Sequence, residues 1–150
     1  MIKYLANGDE LAGVMGHEIA HADLRHSTDA LTRQYGYQLM LDVLLGRNSS
    51  MLKQIALGMS SLSYSRKNEE QADEYSVRYL KSTNYNCGGA AGFFEKIIAE
   101  NGGECGVSKY FSTHPCPSNR VQNINSRASS SGCSKAATDV ETYANIKAKL

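Results

Sequence analysis

Residues 10–25 read Glu10-Leu-Ala-Gly-Val-Met-Gly-His17-Glu18-Ile-Ala-His21-Ala-Asp-Leu-Arg25. Leu11, Val14, Met15, Glu18, Ala22 and Arg25 recur at steps of three and four, the period of an α-helix. Asn7, Gly8 and Asp9 precede the run, and Asp9 is a candidate N-cap. In a helix the imidazoles of His17 and His21 leave the same face about one turn apart. That spacing lets two ring nitrogens reach one Zn²⁺ at tetrahedral angles. Glu18 is rotated by about 100° from His17, so it can reach a water beside the ion without ligating the ion. Zinc polarises a carbonyl and acidifies water. Glu18 is then placed to take a proton from the water and deliver it to a leaving amine. The competing reading is two solvent-facing histidines, with Glu18 paired to Arg25. The helix also carries Gly13, Gly16, Ala20 and Ala22, small residues that permit close packing, and this favours the metal reading.

A catalytic zinc site needs a third protein ligand and an open position. His26 lies nine residues beyond His17, on the opposite side if the helix continues, and reads as a packing or hydrogen-bonding histidine. The acidic cluster Glu69, Glu70, Asp73 and Glu74 lies on a later helical run. Glu69 and Asp73 share a face with Ala72, Ser76 and Leu80, whereas Glu70, Glu74 and Arg78 form a solvated charge row. Glu69 is therefore the expected ligand. Asp73, one turn on, can accept the free N–H of a ligand histidine. The competing reading of the cluster is an exposed acidic patch.

Beyond the first helix, the periodicity predicts helices over about 29–45, 51–61, 64–81 and 90–100. Another follows Pro117 with Ser118 near its start, and a short docking helix lies within 138–149. No alternating strand pattern of useful length and no internal repeat appears. The fold class is mainly α, with the His-Glu-x-x-His helix packed against the helix carrying the third ligand and little or no β-structure.

With 150 residues the chain can bury one hydrophobic core, and all of 1–150 reads as a single domain. Hydrophobic residues are 41% and charged residues 21%, which argues against wholesale disorder. A net charge of +1 lacks the basic excess of a nucleic-acid binder. No apolar run approaches the roughly 18 residues of a membrane span, and the first residues are too short and polar for a signal peptide. The four cysteines, Cys87, Cys105, Cys116 and Cys133, contain no Cys-x-x-Cys pair and lie among Gly, Ser and Asn. They suit two disulfides, and hence a periplasmic or otherwise extracytoplasmic compartment. Of the three pairings, the sequential one, Cys87 with Cys105 and Cys116 with Cys133, closes two local loops and is favoured.

Three blocks in order resemble the M48 family of zinc endopeptidases, which includes HtpX, the CAAX prenyl endopeptidases, the Oma proteases and BepA. They are Glu10 to His21 with Arg25-His26-Ser27; Ser65-Arg66-Lys-Asn-Glu69-Glu-Gln-Ala72-Asp73; and Ser112-Thr113-His114-Pro115 continuing to Arg120 and Ile124. The blocks lie in a metal helix at about 10–28, a third-ligand helix at about 64–81 and a His-Pro/Arg segment at 112–128. The resemblance implies a gluzincin-type domain with one Zn²⁺ per chain on His17, His21 and Glu69. It further implies that His114 and Arg120 lie near the ion, where they stabilise an oxyanion or gate the site. The family usually carries β-structure upstream of the metal helix, so the chain looks like a fragment of a longer domain. Lacking spans, it resembles the soluble periplasmic branch. The implied function is cleavage of exposed polypeptide segments in cell-envelope quality control, with envelope-assembly partners. The alternative is a chaperone-like or assembly factor that keeps the zinc site with little proteolysis. A third reading is a non-catalytic helical interaction domain.

Overall fold

The computed structural model describes residues 2–47, 50, 53, 55, 62–101, 109–116, 119–133 and 140–150. These form α1 (Gly8–Asp23), α2 (His26–Tyr35), α3 (Tyr37–Leu44) and α4 (Arg66–Leu80). They continue with α5 (Gly89–Glu100), α6 (Lys109–Thr113), α7 (Arg120–Ser130) and α8 (Val140–Lys147). No strand occurs among the described residues, as the mainly α expectation requires. Most of the helix expected over 51–61 lies outside the described residues.

Helix α1 is the central element. It packs along α4 on one side and α5 on the other, and α7 closes against both α4 and α5. Close approach depends on glycine at the crossings. A Cβ on Gly13 would overlap the Ala90 backbone, and one on Gly89 would overlap the Asp9 carbonyl. Ser76 Oγ donates to the Gly13 carbonyl at 2.8 Å, which ties α4 to α1 where Gly16 leaves room for it. The main core gathers Leu5, Val14, Val77, Phe93, Phe94, Ile97 and Ile124 between these helices. A smaller cluster of Ala30, Leu31, Ile55 and Leu62 lies beside α2. Helix α8 docks on the N-terminal segment, where Tyr143 Oη donates to the Ile2 carbonyl and Lys147 Nζ to that of Leu5.

Several boundaries differ from the periodic reading. The N-cap of α1 is Asn7, whose side chain accepts from Glu10 N, while Asp9 turns aside to accept from Asn86 N at 3.0 Å. The first helix stops at Asp23, because Arg25 takes a left-handed conformation with φ 55° and starts α2 at His26. The single helix expected over about 29–45 is two, split by Gly36 at φ 79°. A single left-handed residue leaves no trace in hydrophobic period, so neither break was readable from it. The N-cap of α7 is Asn119, with Pro117 and Ser118 outside the described residues. Helix α6, which leads into His114, carries no periodic signal because it is a single turn.

The sequential disulfide pairing is wrong. Cys87 bonds Cys133, with Cα atoms 5.7 Å apart. Cys87 N also donates to the Cys133 carbonyl at 3.3 Å. The bond joins the entry to α5 with the exit of α7, two points far apart in the chain that helix packing brings together. Cys116 is disulfide-bonded too, and Cys105 lies outside the described residues. The Cys87–Cys133 bond spans 46 residues. Chain-entropy arguments put such a cross-link at roughly 4 kcal/mol, with ~2–4 typical of measured cases. Replacing both cysteines with Ala lowers the stability from urea unfolding by about 2–4 kcal/mol; an unchanged midpoint would show that packing alone holds α5 against α7.

Candidate metal centre

His17 and His21 leave the inner face of α1, and Glu69 leaves the first turn of α4. That turn begins at a capping box: Asn68 N donates to Ser65 Oγ, and Ser65 N donates to Asn68 Oδ1. The cap fixes where α4 starts, and with it the height of Glu69 against α1. His17 Nε2 and His21 Nε2 are 3.0 Å apart. Glu69 Oε2 lies 3.4 Å from His17 Nε2, and Glu69 Oε1 lies 3.3 Å from His21 Nε2. The residue after α6, His114, brings Nδ1 to 3.1 Å from Glu69 Oε1. One ligand atom from each of these four residues falls within 4.8 Å of the others, and all four side chains are buried.

These groups fit a zinc ion. Donors about 2.0–2.1 Å from a tetrahedral zinc stand roughly 3.3 Å from one another, close to the separations above. Two imidazoles and a carboxylate are a donor set typical of catalytic zinc. Glu69 Oε2 is buried and accepts no hydrogen bond, and the cation against it is the Arg120 guanidinium, 3.1 Å away. Among the described residues these form the metal-capable group.

The surroundings set the tautomers. His17 Nδ1 lies 2.8 Å from Asp73 Oδ1. Donation of Nδ1–H to that carboxylate turns the Nε2 lone pair toward the cluster. Asp73 is itself held by Arg120, with Nε to Oδ2 and Nη2 to Oδ1 both at 2.8 Å. Arg120 Nη2 also stands 3.1 Å from Glu69 Oε2, and its guanidinium lies 3.7 Å from the centre of the Phe94 ring. On the other side, His21 Nδ1 lies 3.0 Å from His26 Nδ1. Tyr64 stacks on the His21 ring at 3.9 Å between centroids, and its hydroxyl meets Ser27 Oγ at 3.1 Å. Tyr110 stacks on His114 at 4.4 Å.

The ionisation of the site follows these contacts. Burial pushes Glu69 up, but bonds from His114, His17 and His21 outweigh it and hold the carboxyl well below the usual range. Burial lowers His17, yet Asp73 and Glu69 more than offset this and raise it above its ordinary value. His21 lacks a carboxylate on its far nitrogen, and burial prevails to lower it. Burial works against the charge on Arg120, and Asp73 more than restores it. Burial also pushes the Tyr110 hydroxyl up, so it stays a neutral donor.

Glu18 sits at the rim. Its side chain is 45% exposed, with Oε1 3.7 Å from His114 Nε2 and 3.5 Å from Tyr110 Oη. It does not join the ligand cluster. Glu70 points outward and pairs with Arg127 at 3.6 Å, and Glu74 meets the same arginine at 2.7 Å. The charge row expected from sequence is thus held by an arginine of α7.

His114 was expected beside the ion and stands among the ligand atoms themselves. Arg120 was expected near the ion, stabilising an oxyanion or gating the site; the residue is 2% exposed and pairs with Asp73 and Glu69. Replacing it with Met leaves two buried carboxylates without their cation. Stability of the metal-free chain then falls by about 3–5 kcal/mol in urea unfolding, the cost of breaking a buried pair from one side. A loss below about 1 kcal/mol would mean that His17 protonates in its place. Tyr64 and Tyr110 were missed entirely. The only signal was their position one residue before Ser65 and four before His114.

Comparison with known proteins agrees with this geometry. The chain is 31% identical over 133 residues to Metalloprotease YcaL of Escherichia coli strain K12, covering 84% of this chain and 52% of that protein. It is 27% identical over 143 residues to the Beta-barrel assembly-enhancing protease of the same organism, covering 85% and 29%. Metalloprotease LoiP, also from that strain, is 26% identical over 131 residues, covering 83% and 51%. The chain therefore spans about half or less of the length of these relatives. The model of Peptidase family M48 matches residues 1–128, a stretch that holds His17, Glu18, His21, Glu69, His114 and Arg120, and the chain belongs to that family.

Proposed function

We propose that residues 1–150 form one metallopeptidase domain that hydrolyses peptide bonds in proteins with a single zinc ion. His17, His21 and Glu69 hold the ion, and Asp73 orients His17. The observation that carries this reading is the convergence of four buried ligand atoms from three separate segments within 4.8 Å, with Glu18 at their exposed edge.

When bound, zinc supplies Lewis acidity that polarises the scissile carbonyl. Glu18 Oε1 accepts a proton from the attacking water and passes it to the leaving amine nitrogen, a task suited to a carboxylate open to solvent. Tyr110 Oη borders Glu18 and can donate to the oxygen that gains negative charge; His114 Nε2 can do so when its ring carries both protons, because Nδ1 already donates to Glu69. Arg120 acts through Glu69 and Asp73, holding both carboxylates in place.

The substrate in this reading is an exposed or unassembled polypeptide of the cell envelope, in an extracytoplasmic compartment. The support is the likeness to a protease named for β-barrel assembly and the buried Cys87–Cys133 bond, which suits an oxidising setting. No helix among the described residues is long and apolar enough to cross a membrane. A chaperone-like assembly role is the second reading, favoured by the same relative's name. The deciding experiment is zinc analysis of the purified chain with an assay on an unfolded protein substrate. One zinc per chain, and cleavage lost on chelation and restored by zinc, support the peptidase reading; failure to bind zinc at all sinks it.

A further inference from the structure

We infer that His26 is a positioning residue for the metal centre: its Nδ1 accepts the Nδ1–H of His21 and thereby fixes the tautomer and ring plane in which His21 offers Nε2 to the ion. The inference rests on the proposed zinc reading of His17, His21 and Glu69.

His21 Nδ1 and His26 Nδ1 are 3.0 Å apart, and the residues are 2% exposed. At that distance one nitrogen must donate and the other accept. His21 Nε2 faces His17 Nε2 at 3.0 Å and Glu69 Oε1 at 3.3 Å, so it is the nitrogen that points into the ligand group. A ligand nitrogen carries no proton, which places the proton of neutral His21 on Nδ1. His26 Nδ1 is therefore the acceptor, and its own proton sits on Nε2.

The backbone is built to allow this contact. In an unbroken helix, residues five apart stand about 140° apart around the axis and roughly 7.5 Å apart along it, so their rings cannot meet. Here α1 ends at Asp23, and Arg25 adopts φ 55°, a left-handed state that non-glycine residues seldom take. The reversal carries the buried His26 ring back beside His21, and the two rings meet edge to face at 4.9 Å. Tyr64 stacks on the face of the His21 ring, with centroids 3.9 Å apart, and restrains its tilt. The two ligand histidines are thus oriented differently: His17 by a charged carboxylate, His21 by a neutral imidazole.

The test compares zinc affinity, by competition with a chromogenic chelator, for wild type and for His26→Ala, His26→Asn and His26→Leu. Asn places an oxygen acceptor near the position of Nδ1; Leu fills the space without one. The expected result is affinity weakened about 10–100-fold in the Ala and Leu variants and largely restored in the Asn variant. Urea unfolding of the metal-free proteins accompanies it, so that lost packing is separated from lost orientation. Ring ¹⁵N spectra of the zinc-loaded wild type should show His21 protonated at Nδ1 and His26 at Nε2. Unchanged affinity in His26→Leu, equal losses in Leu and Asn, or the opposite tautomer at His26 would each overturn the inference. A wild-type chain that binds no zinc would instead overturn the underlying metal reading.

Discussion

Glu18→Gln lowers peptide-bond hydrolysis about 10²–10⁴-fold, the usual contribution of a general acid–base group, and leaves zinc content near one per chain. The two outcomes separate because Glu18 stands outside the ligand cluster, with a side chain 45% exposed. Glutamine keeps the shape and one acceptor oxygen but cannot take the water's proton. The same variant divides the peptidase from the assembly-factor reading. If the chain acts by holding unfolded polypeptide, Glu18→Gln abolishes cleavage and leaves holding intact. Full cleavage activity in the variant would remove Glu18 as the base and direct attention to His114, whose Nε2 lies 3.7 Å away.

The second large effect is on the metal itself. Glu69→Ala takes zinc content after desalting from about one per chain to near zero, whereas Glu70→Ala leaves it unchanged, since catalytic zinc is held by three protein ligands. The carboxylates are adjacent in sequence and opposite in environment. Glu69 is fully buried against His17, His21 and His114, while the Glu70 side chain is 57% exposed beside Arg127. Metal loss from Glu70→Ala with retention in Glu69→Ala would refute the assignment of the ligand face. Arg120 remains paired with Asp73 in either variant, so a large fall in folding stability is not expected to obscure the reading.

Much of the candidate centre was legible because it is written in helix period. His17 and His21 share a face at a spacing of four, and the choice of Glu69 over Glu70 follows from which face of α4 is apolar. Asp73, one turn from Glu69, was legible for the same reason. His26 was read as a packing or hydrogen-bonding residue, but its partner was not readable, because an unbroken helix points it away. The disulfide shows the same limit. Local loop closure favours sequential pairs, yet the packing of α5 against α7 sets Cys87 beside Cys133.

The amino-acid sequence by itself determined which side chains share a helix face, and from that the mainly α class and the His17, His21 and Glu69 set. Tertiary structure alone decided what stands behind each of them: Arg120 buried against Asp73, His26 turned back to His21, Tyr64 and Tyr110 stacked on the rings, Cys87 joined to Cys133. The physical reason is that period encodes relations within one helix. Contacts between distant segments depend instead on close crossings such as Gly13 against Ala90, and on single backbone states such as that of Arg25.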